Sequence, residues 1–290
     1  MTAVPPNFSS SPSNEEVVNQ FRRVLNRHGF PFQEAVLRAV GSIETGSGWE
    51  AWMPEFPVSV QDQSTRIYVI LASPAKDRFI VCECKRANPS IANWCFAQSQ
   101  LRFPGSSLAN RAYAETLLDR GDGVVGMHVR ELQSASIYHI GVEASTHKKG
   151  DEDGAKKGQE IEDACGQVCR GLNGLIECFY QRNMLKTFGR REALFLPMIV
   201  TTANLYATTN DLSLASIESG ELGETPLRVE KVNWLWYRYH QSPALKHQVP
   251  LNNPSMAFND ILFYEFARTI AIVSPNGISE FLSHRMWLTR

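Results

Sequence analysis

The chain has 290 residues, of which 43% are hydrophobic, so it is long and apolar enough to bury a substantial core. Its net charge of −1 gives no overall basic surface, and nucleic-acid binding would therefore depend on local basic clusters. The six cysteines show neither zinc-site spacing nor a disulfide framework, and no apolar run reaches the ~18 residues of a membrane span. We therefore expect a cytoplasmic protein with reduced thiols and no membrane partner.

The N-terminal segment predicts a tail followed by two helices. Residues 1–13 are rich in proline and serine and lack both a basic start and an apolar core, which favours a flexible tail over a signal peptide. Asn14 is a suitable cap for a first helix, and a second helical stretch spans residues 32–40. Glu34 lies on this second helix.

Three short apolar segments then predict a meander of strands. The first covers residues 56–60 and the second residues 67–71, and the turn that follows contains proline and aspartate. The third has the sequence Val-Cys-Glu-Cys-Lys-Arg at residues 81–86. Three strands within about thirty residues favour antiparallel neighbours.

The third strand carries an acid and a lysine two residues apart. Because successive side chains of a strand point to opposite faces, Glu83 and Lys85 project together, while Cys82 and Cys84 turn to the other face. A carboxylate beside an ammonium group can hold a metal ion and polarise a phosphate. The alternative is an ordinary ion pair on a solvated strand, and the surrounding elements must decide between the two.

The order of the predicted elements resembles that of the PD-(D/E)xK nuclease superfamily. A helix with Glu34 comes first, then a strand, then the strand with Tyr68, and then the strand with Glu83-Cys84-Lys85. The resemblance implies an α/β protein with a mixed (α+β) sheet and a restriction-endonuclease-like αβββαβ core. It also implies a Mg²⁺ or Mn²⁺ ion held by Glu83 and the backbone carbonyl of Cys84, with Glu34 contacting the metal through water. Lys85 would orient the attacking water or stabilise the developing charge.

The chain departs from this family at Tyr68, which stands where active members carry a metal-binding aspartate. A neutral phenol is a poor ligand for a hard divalent cation, which prefers carboxylate and carbonyl oxygens. Three explanations are open: a deliberate inactivation, a naturally inactive binding relative, or another acid, such as Asp62 or Asp77, that takes the empty place.

The resemblance divides the chain into core, insertion and extension. The core comprises residues 14–95 and 158–210. The large insertion comprises residues 96–157. Residues 211–290 form a C-terminal extension that packs on the core. Within the insertion, residues 109–118 suggest a helix, residues 137–142 a strand, and residues 147–158 a polar loop.

The clearest helix covers residues 161–179, where apolar residues recur at spacings of four and three. Gly166, Gly171 and Gly174 interrupt its helix propensity and indicate close packing of a neighbouring segment. Gln167 lies off the apolar stripe. It either faces the active site, as a helix glutamine does in some subfamilies of these nucleases, or is an ordinary polar flank.

The last part of the chain contains two further patterns. A continuous apolar run at residues 194–200 predicts a strand buried on both faces, which fits the fourth strand of the core. Trp234 and Trp236 share one face of a later strand, as core, as an oligomer interface or as a platform on which unpaired bases stack. A strand over residues 266–273 and a helix over residues 278–282 close the chain.

These observations predict a metal-dependent endonuclease that hydrolyses phosphodiester bonds, such as a restriction or anti-phage effector, with Tyr68 putting its activity in question. The alternative is a non-catalytic protein of the same fold that binds nucleic acid or a partner subunit. The expected partner is nucleic acid, with DNA favoured, beside a homo-oligomer or an activating subunit. The candidate contacts to nucleic acid are basic side chains: Arg86, Lys148, Lys149, Lys156 and Lys157.

Overall fold

The computed structural model describes residues 14–99, 110–121, 125–132, 136–144, 159–210, 212, 215–223, 226–246, 248–251 and 258–284. The predicted tail, residues 1–13, and the predicted polar loop, residues 147–158, lie outside these residues. No helix in the described part of the chain is long and apolar enough to cross a membrane.

The helices and strands alternate along the chain. The α-helices are α1 (Asn14–Arg27), α2 (Phe30–Ser47), α3 (Gln159–Gln181), α4 (Met184–Thr187), α5 (Phe258–Phe266) and α6 (Ile278–Ser283). The first strands are β1 (Glu50–Val60), β2 (Gln63–Ala72), β3 (Arg78–Lys85), β4 (Asn93–Ala97), β5 (Tyr113–Asp119), β6 (Val125–Glu131), β7 (Ile137–Tyr138) and β8 (Ile140–Ala144). The later strands are β9 (Glu192–Thr201), β10 (Asn204–Thr208), β11 (Val229–Val232), β12 (Trp234–His240) and β13 (Ala267–Val273).

The larger sheet is mixed. Strands β1, β2 and β3 form the predicted antiparallel meander, and β3 then pairs in parallel with β9. Strand β9 pairs on its other edge with β13 in parallel and with β5 in antiparallel orientation, and β12 and β7 continue beyond β13. The predicted mixed α/β class is therefore confirmed. A smaller sheet has the order β11-β10-β4-β8.

Helices cover both faces of the larger sheet. Helix α3 packs on one face, where Leu172 and Phe179 join the apolar cluster of Ile199. Helices α2 and α6 pack on the other, where Val36 and Phe281 join the cluster of Met198. Because β9 is covered on both faces, nearly all its residues are buried, as its continuous apolar sequence predicted.

One predicted element is wrong. Residues 109–118 suggested a helix, but Tyr113–Asp119 is strand β5, which pairs with β6 along its whole length and with β9 at four positions. The backbone N–H and C=O groups along this edge of β9 need hydrogen-bond partners, and β5 provides them. This pairing outweighs the local helix preference of residues 109–118. The long helix, the buried strand and the closing strand and helix are confirmed.

Candidate functional site

The end of β3 places Glu83 and Lys85 on the face of the sheet that α3 covers. Glu83 is in register with Ile199, which belongs to the apolar cluster under α3. Cys82 and Cys84 belong to the cluster on the opposite face. The alternation predicted from the sequence thus separates the two charged side chains from the two cysteines.

Glu83 and Lys85 are both half-buried, yet they do not form the ordinary ion pair that was the alternative expectation. Among the described residues, no carboxylate oxygen lies within 4 Å of the Lys85 ammonium. Burial raises the pKa of the Glu83 carboxyl to about 7, while the positive charge of Lys85 opposes this rise and Glu55 adds to it. Near neutral pH, Glu83 therefore exists in both its protonated and its ionised form.

A pocket of about 580 Å³ opens between the end of β3 and the N-terminal half of α3. Lys85 contributes a cation from β3, Gln63 an amide from the start of β2, and Gln167 and Arg170 line it from α3. We call this the Lys85 pocket. Gln167 therefore lines the same space as Lys85.

Arg170 was not predicted from the sequence. It lies three residues after Gln167, so the two side chains project from the same side of α3. The helical period could have identified Arg170, because a residue about one turn from Gln167 and off the apolar stripe projects from the same side of the helix.

Helix α3 approaches the sheet closely at two of the three glycines that interrupt it. A Cβ atom at Gly174 would lie 2.6 Å from Val58 Cβ, and one at Gly171 would lie 3.1 Å from Ile67 Cγ1. A Cβ atom at Gly166 would meet only the hydroxyl of Tyr239, at 3.8 Å. The predicted close packing is thus confirmed for two of the glycines, while space remains in front of the third.

Two carboxylates fix the N-terminal end of α3. Glu143 of β8 accepts a 2.7 Å hydrogen bond from the backbone N–H of Ile161, and Glu160 accepts one at 3.1 Å from the backbone N–H of Asn88. Burial raises the pKa of Glu143, and the nearby charge of Lys85 opposes that rise. Lys85 therefore influences both Glu83 and Glu143 electrostatically without contacting either within 4 Å.

The segment before α5 forms the far wall of the pocket, where Ser242, Ala244 and Leu245 line it. Asn173 of α3 is fully buried, and its side-chain amide donates to Gln241 Oε1 at 2.8 Å and to the carbonyl of Leu245. Helix and wall are therefore joined directly by hydrogen bonds.

Tyr68 and Glu34 come together on the opposite face of the sheet. Tyr68 is 6% exposed and packs in the cluster of Cys82 and Cys84, and its hydroxyl is buried without a hydrogen-bond partner. Burial raises its pKa far above the ordinary value, and the carboxylate of Glu34 adds to the rise. The pairing of β2 with β3 ends at Val69, so no ladder holds Tyr68 beside Glu83.

The two other acids considered for the missing aspartate lie elsewhere. Asp62 is in the turn between β1 and β2 with a positive φ of 65°, and it does not line the Lys85 pocket, although its neighbour Gln63 does. Asp77 accepts a 2.7 Å hydrogen bond from the Ser73 hydroxyl in the turn before β3. It is six residues from Glu83 along an extended strand, or about 20 Å.

The remaining predicted contacts are distributed as follows. Arg86 lines a second cleft of about 420 Å³ together with Arg23 and Glu160, which we call the Arg86 cleft, and it donates to the carbonyl of Asn26 at 2.6 Å. The four predicted lysines lie outside the described residues: Lys148, Lys149, Lys156 and Lys157.

Trp234 and Trp236 belong to the core. The two rings lie 5.4 Å and 5.7 Å from the ring of Phe281 in α6, and Trp236 is 2% exposed. Trp234 also donates a 3.0 Å hydrogen bond to Glu280. Of the three roles considered for this pair, packing against α6 is the one the contacts support.

The residues present do not fit the divalent metal ion that the resemblance implies. Nowhere in the described ranges are three or more histidine, cysteine, aspartate or glutamate side chains grouped so that they could hold one. Glu83 has the carbonyl of Cys84 as its neighbour, but Tyr68 and Glu34 lie on the other face. A hard cation would therefore lack most of its oxygen ligands here.

Comparison of the chain with protein-family models, with curated proteins and with solved structures gave no match.

Proposed function

We propose that this chain is a nucleic-acid-binding protein with a nuclease-like core that binds a phosphodiester strand without hydrolysing it. The observation that carries the proposal is the Lys85 pocket, where Lys85 and Arg170 have no carboxylate within 4 Å among the described residues. Glu162 and Asp163 also line the pocket, but neither lies within 4 Å of these two cations. A concave site with two such cations and two amide side chains suits a phosphate group.

The chain order supports the nuclease-like part of the proposal. Two helices and a three-strand meander come first, and a long helix and a strand parallel to β3 come later, which is the succession expected for an αβββαβ core. Strands β4 to β8 lie between the two parts, in the stretch predicted as an insertion. The Glu83-Cys84-Lys85 sequence lies at the end of the third meander strand, next to the pocket.

The donor set supports binding over hydrolysis. The aspartate position holds Tyr68, whose side chain packs on the opposite face, and Glu83 is half-buried with a pKa near 7. One partly protonated carboxyl beside one carbonyl is a weak set for Mg²⁺ or Mn²⁺.

A metal-dependent nuclease is the second candidate, and one observation favours it. Glu83 and Lys85 make no ion pair with each other although they share a face, which leaves the Lys85 ammonium on the pocket lining available to a substrate. Activity would then require an acid that a partner or a rearrangement supplies.

The test measures binding and cleavage separately. Fluorescence anisotropy with labelled single-stranded and duplex oligonucleotides, in EDTA, should show binding that Lys85→Ala weakens, while Lys186→Ala, an exposed lysine of α4, leaves it unchanged. Absence of binding to DNA and RNA of both forms would contradict the proposal.

Cleavage is measured with the same substrates in Mg²⁺ or Mn²⁺. We expect none from the natural sequence, and none from Tyr68→Asp, because residue 68 packs against Cys82 and Cys84 and not beside Glu83. Cleavage by Tyr68→Asp that is lost when Glu83→Ala is added would establish the second candidate instead.

A further inference from the structure

Arg170 is a cation of the Lys85 pocket with a buried donor that has no partner among the described residues. It is half-buried on α3, and its Nε atom is buried without a hydrogen-bond partner. A buried guanidinium donor that bonds to nothing is costly, since native structures pair nearly all such groups. Arg170 also lines the pocket and is only partly buried, so the accessible part of its guanidinium is available to a ligand there.

The acids that share the pocket do not neutralise Arg170. Glu162 accepts a 2.6 Å hydrogen bond from the Tyr239 hydroxyl. Asp163 is seven residues from Arg170, or about 10 Å along the helix. No carboxylate oxygen within the described ranges lies within 4 Å of the Arg170 guanidinium.

We propose that Arg170 binds a phosphate group of the bound strand directly and holds it against Lys85. This inference rests on the proposed nucleic-acid binding and names the group that the pocket receives. A guanidinium presents parallel N–H donors to two oxygens of one phosphate, whereas an ammonium group acts as a point charge. The amides of Gln63 and Gln167 line the same space and can donate to the remaining oxygens.

The size of the pocket agrees with this ligand. Its volume of about 580 Å³ exceeds that of a phosphate group and leaves room for the attached sugar or base. Gly166 forms part of the lining, where no side chain narrows the space.

The experiment compares three variants by anisotropy, with a labelled 12-nucleotide DNA strand in EDTA. We expect Arg170→Gln to weaken binding about tenfold and to lower the salt dependence by about one phosphate contact. Arg170→Lys, which keeps the charge but loses the parallel donors, should fall between Arg170→Gln and the natural protein. Arg182→Gln removes an exposed arginine just beyond α3, about 18 Å further along the helix axis, and should leave the affinity within about twofold.

Equal affinity of Arg170→Gln and the natural protein, or an equal loss in Arg170→Gln and Arg182→Gln, would overturn the proposal. If Arg170→Gln does not fold, as judged by circular dichroism, the comparison of Arg170→Lys with the natural protein decides in its place. A lysine variant with unchanged affinity and salt dependence would then contradict a role for the parallel donors.

A second readout separates this inference from the proposed function. Pyrophosphate should raise the thermal unfolding midpoint of the natural protein, and this shift should be absent in Arg170→Gln. If no oligonucleotide binds but the pyrophosphate shift depends on Arg170, the nucleic-acid proposal fails and the phosphate site stands. If pyrophosphate shifts neither protein or both equally, the phosphate site fails.

Discussion

The two faces of β3 differ sharply although they belong to one eight-residue strand. On the α2 face, Cys82 and Cys84 pack with Tyr68 in a buried cluster where burial raises the pKa of Cys84. On the α3 face, Glu83 and Lys85 lie near a pocket with charged walls. One strand can therefore serve as core on one side and as a polar site on the other, because its side chains alternate.

The largest expected effect concerns a charge that the α3 face buries completely. Arg268 and Glu115, 1% and 2% exposed, form an ion pair at 3.3 Å. Glu115→Gln should lower the free energy of unfolding by about 3–5 kcal/mol, since it leaves a buried guanidinium without its counterion. Urea denaturation measures the change. Glu131→Gln, which breaks the exposed pair with Arg111, is the control and should cost less than about 1 kcal/mol. Similar losses in both variants would mean that burial does not matter on this face.

The next effect tests the close approach of α3. Gly174→Ala should destabilise the protein by about 1–3 kcal/mol, because the new methyl group would lie 2.6 Å from Val58 Cβ. Gly166→Ala is the matched control, since its methyl group has room and alanine favours the helix by up to about 1 kcal/mol. Unfolding curves in urea should therefore move in opposite directions. Equal shifts would show that the helix packs equally closely against the sheet at both glycines, which would contradict the prediction.

The third prediction uses the raised pKa of Glu83. Its value is about 7 in the folded protein and 4.5 for the ordinary carboxyl, so the folded state holds this proton more tightly. The contribution to stability is thus present at low pH and is lost as the pH rises from about 4.5 to about 7. At about 1.4 kcal/mol per pKa unit, the difference in unfolding free energy between the natural protein and Glu83→Gln should change by up to about 3 kcal/mol across this window. A difference that stays constant with pH would contradict the raised pKa.

The smallest effect concerns the Arg86 cleft. Arg86 is exposed and already donates to the carbonyl of Asn26, so a phosphate would gain less from it than from Arg170. Arg86→Gln should therefore weaken oligonucleotide binding only about twofold to threefold, with the loss vanishing at high salt. Anisotropy titrations at two salt concentrations test this. A loss as large as that of Arg170→Gln would make the two clefts equal parts of one binding surface.

Sequence reasoning predicted what depends on local periodicity. The spacing of apolar residues gave α3, the continuous apolar run gave β9, and strict alternation placed Glu83 and Lys85 on one face. Strand β5 was missed because its conformation depends on pairing with β9, which is about eighty residues away in the sequence.

The candidate site was only partly predictable for a similar reason. Alternation alone would put Tyr68 on the face of Ile70, yet it packs in the same cluster as Val69, because the pairing of β2 with β3 has ended there. Arg170 becomes notable only when the structure leaves its Nε atom unpaired. Neither feature is visible in a sequence pattern.

The hydrogen bonds of Asn173 bear on the energetics of binding. This fully buried side chain ties the segment at Gln241 and Leu245 to α3, so the two walls of the Lys85 pocket are joined directly by hydrogen bonds. A ligand would enter a site that is already in place and would lose little affinity to the ordering of loops. Loosening this connection, as in Asn173→Ala, would therefore be felt as a weaker ligand affinity even though Asn173 does not line the pocket.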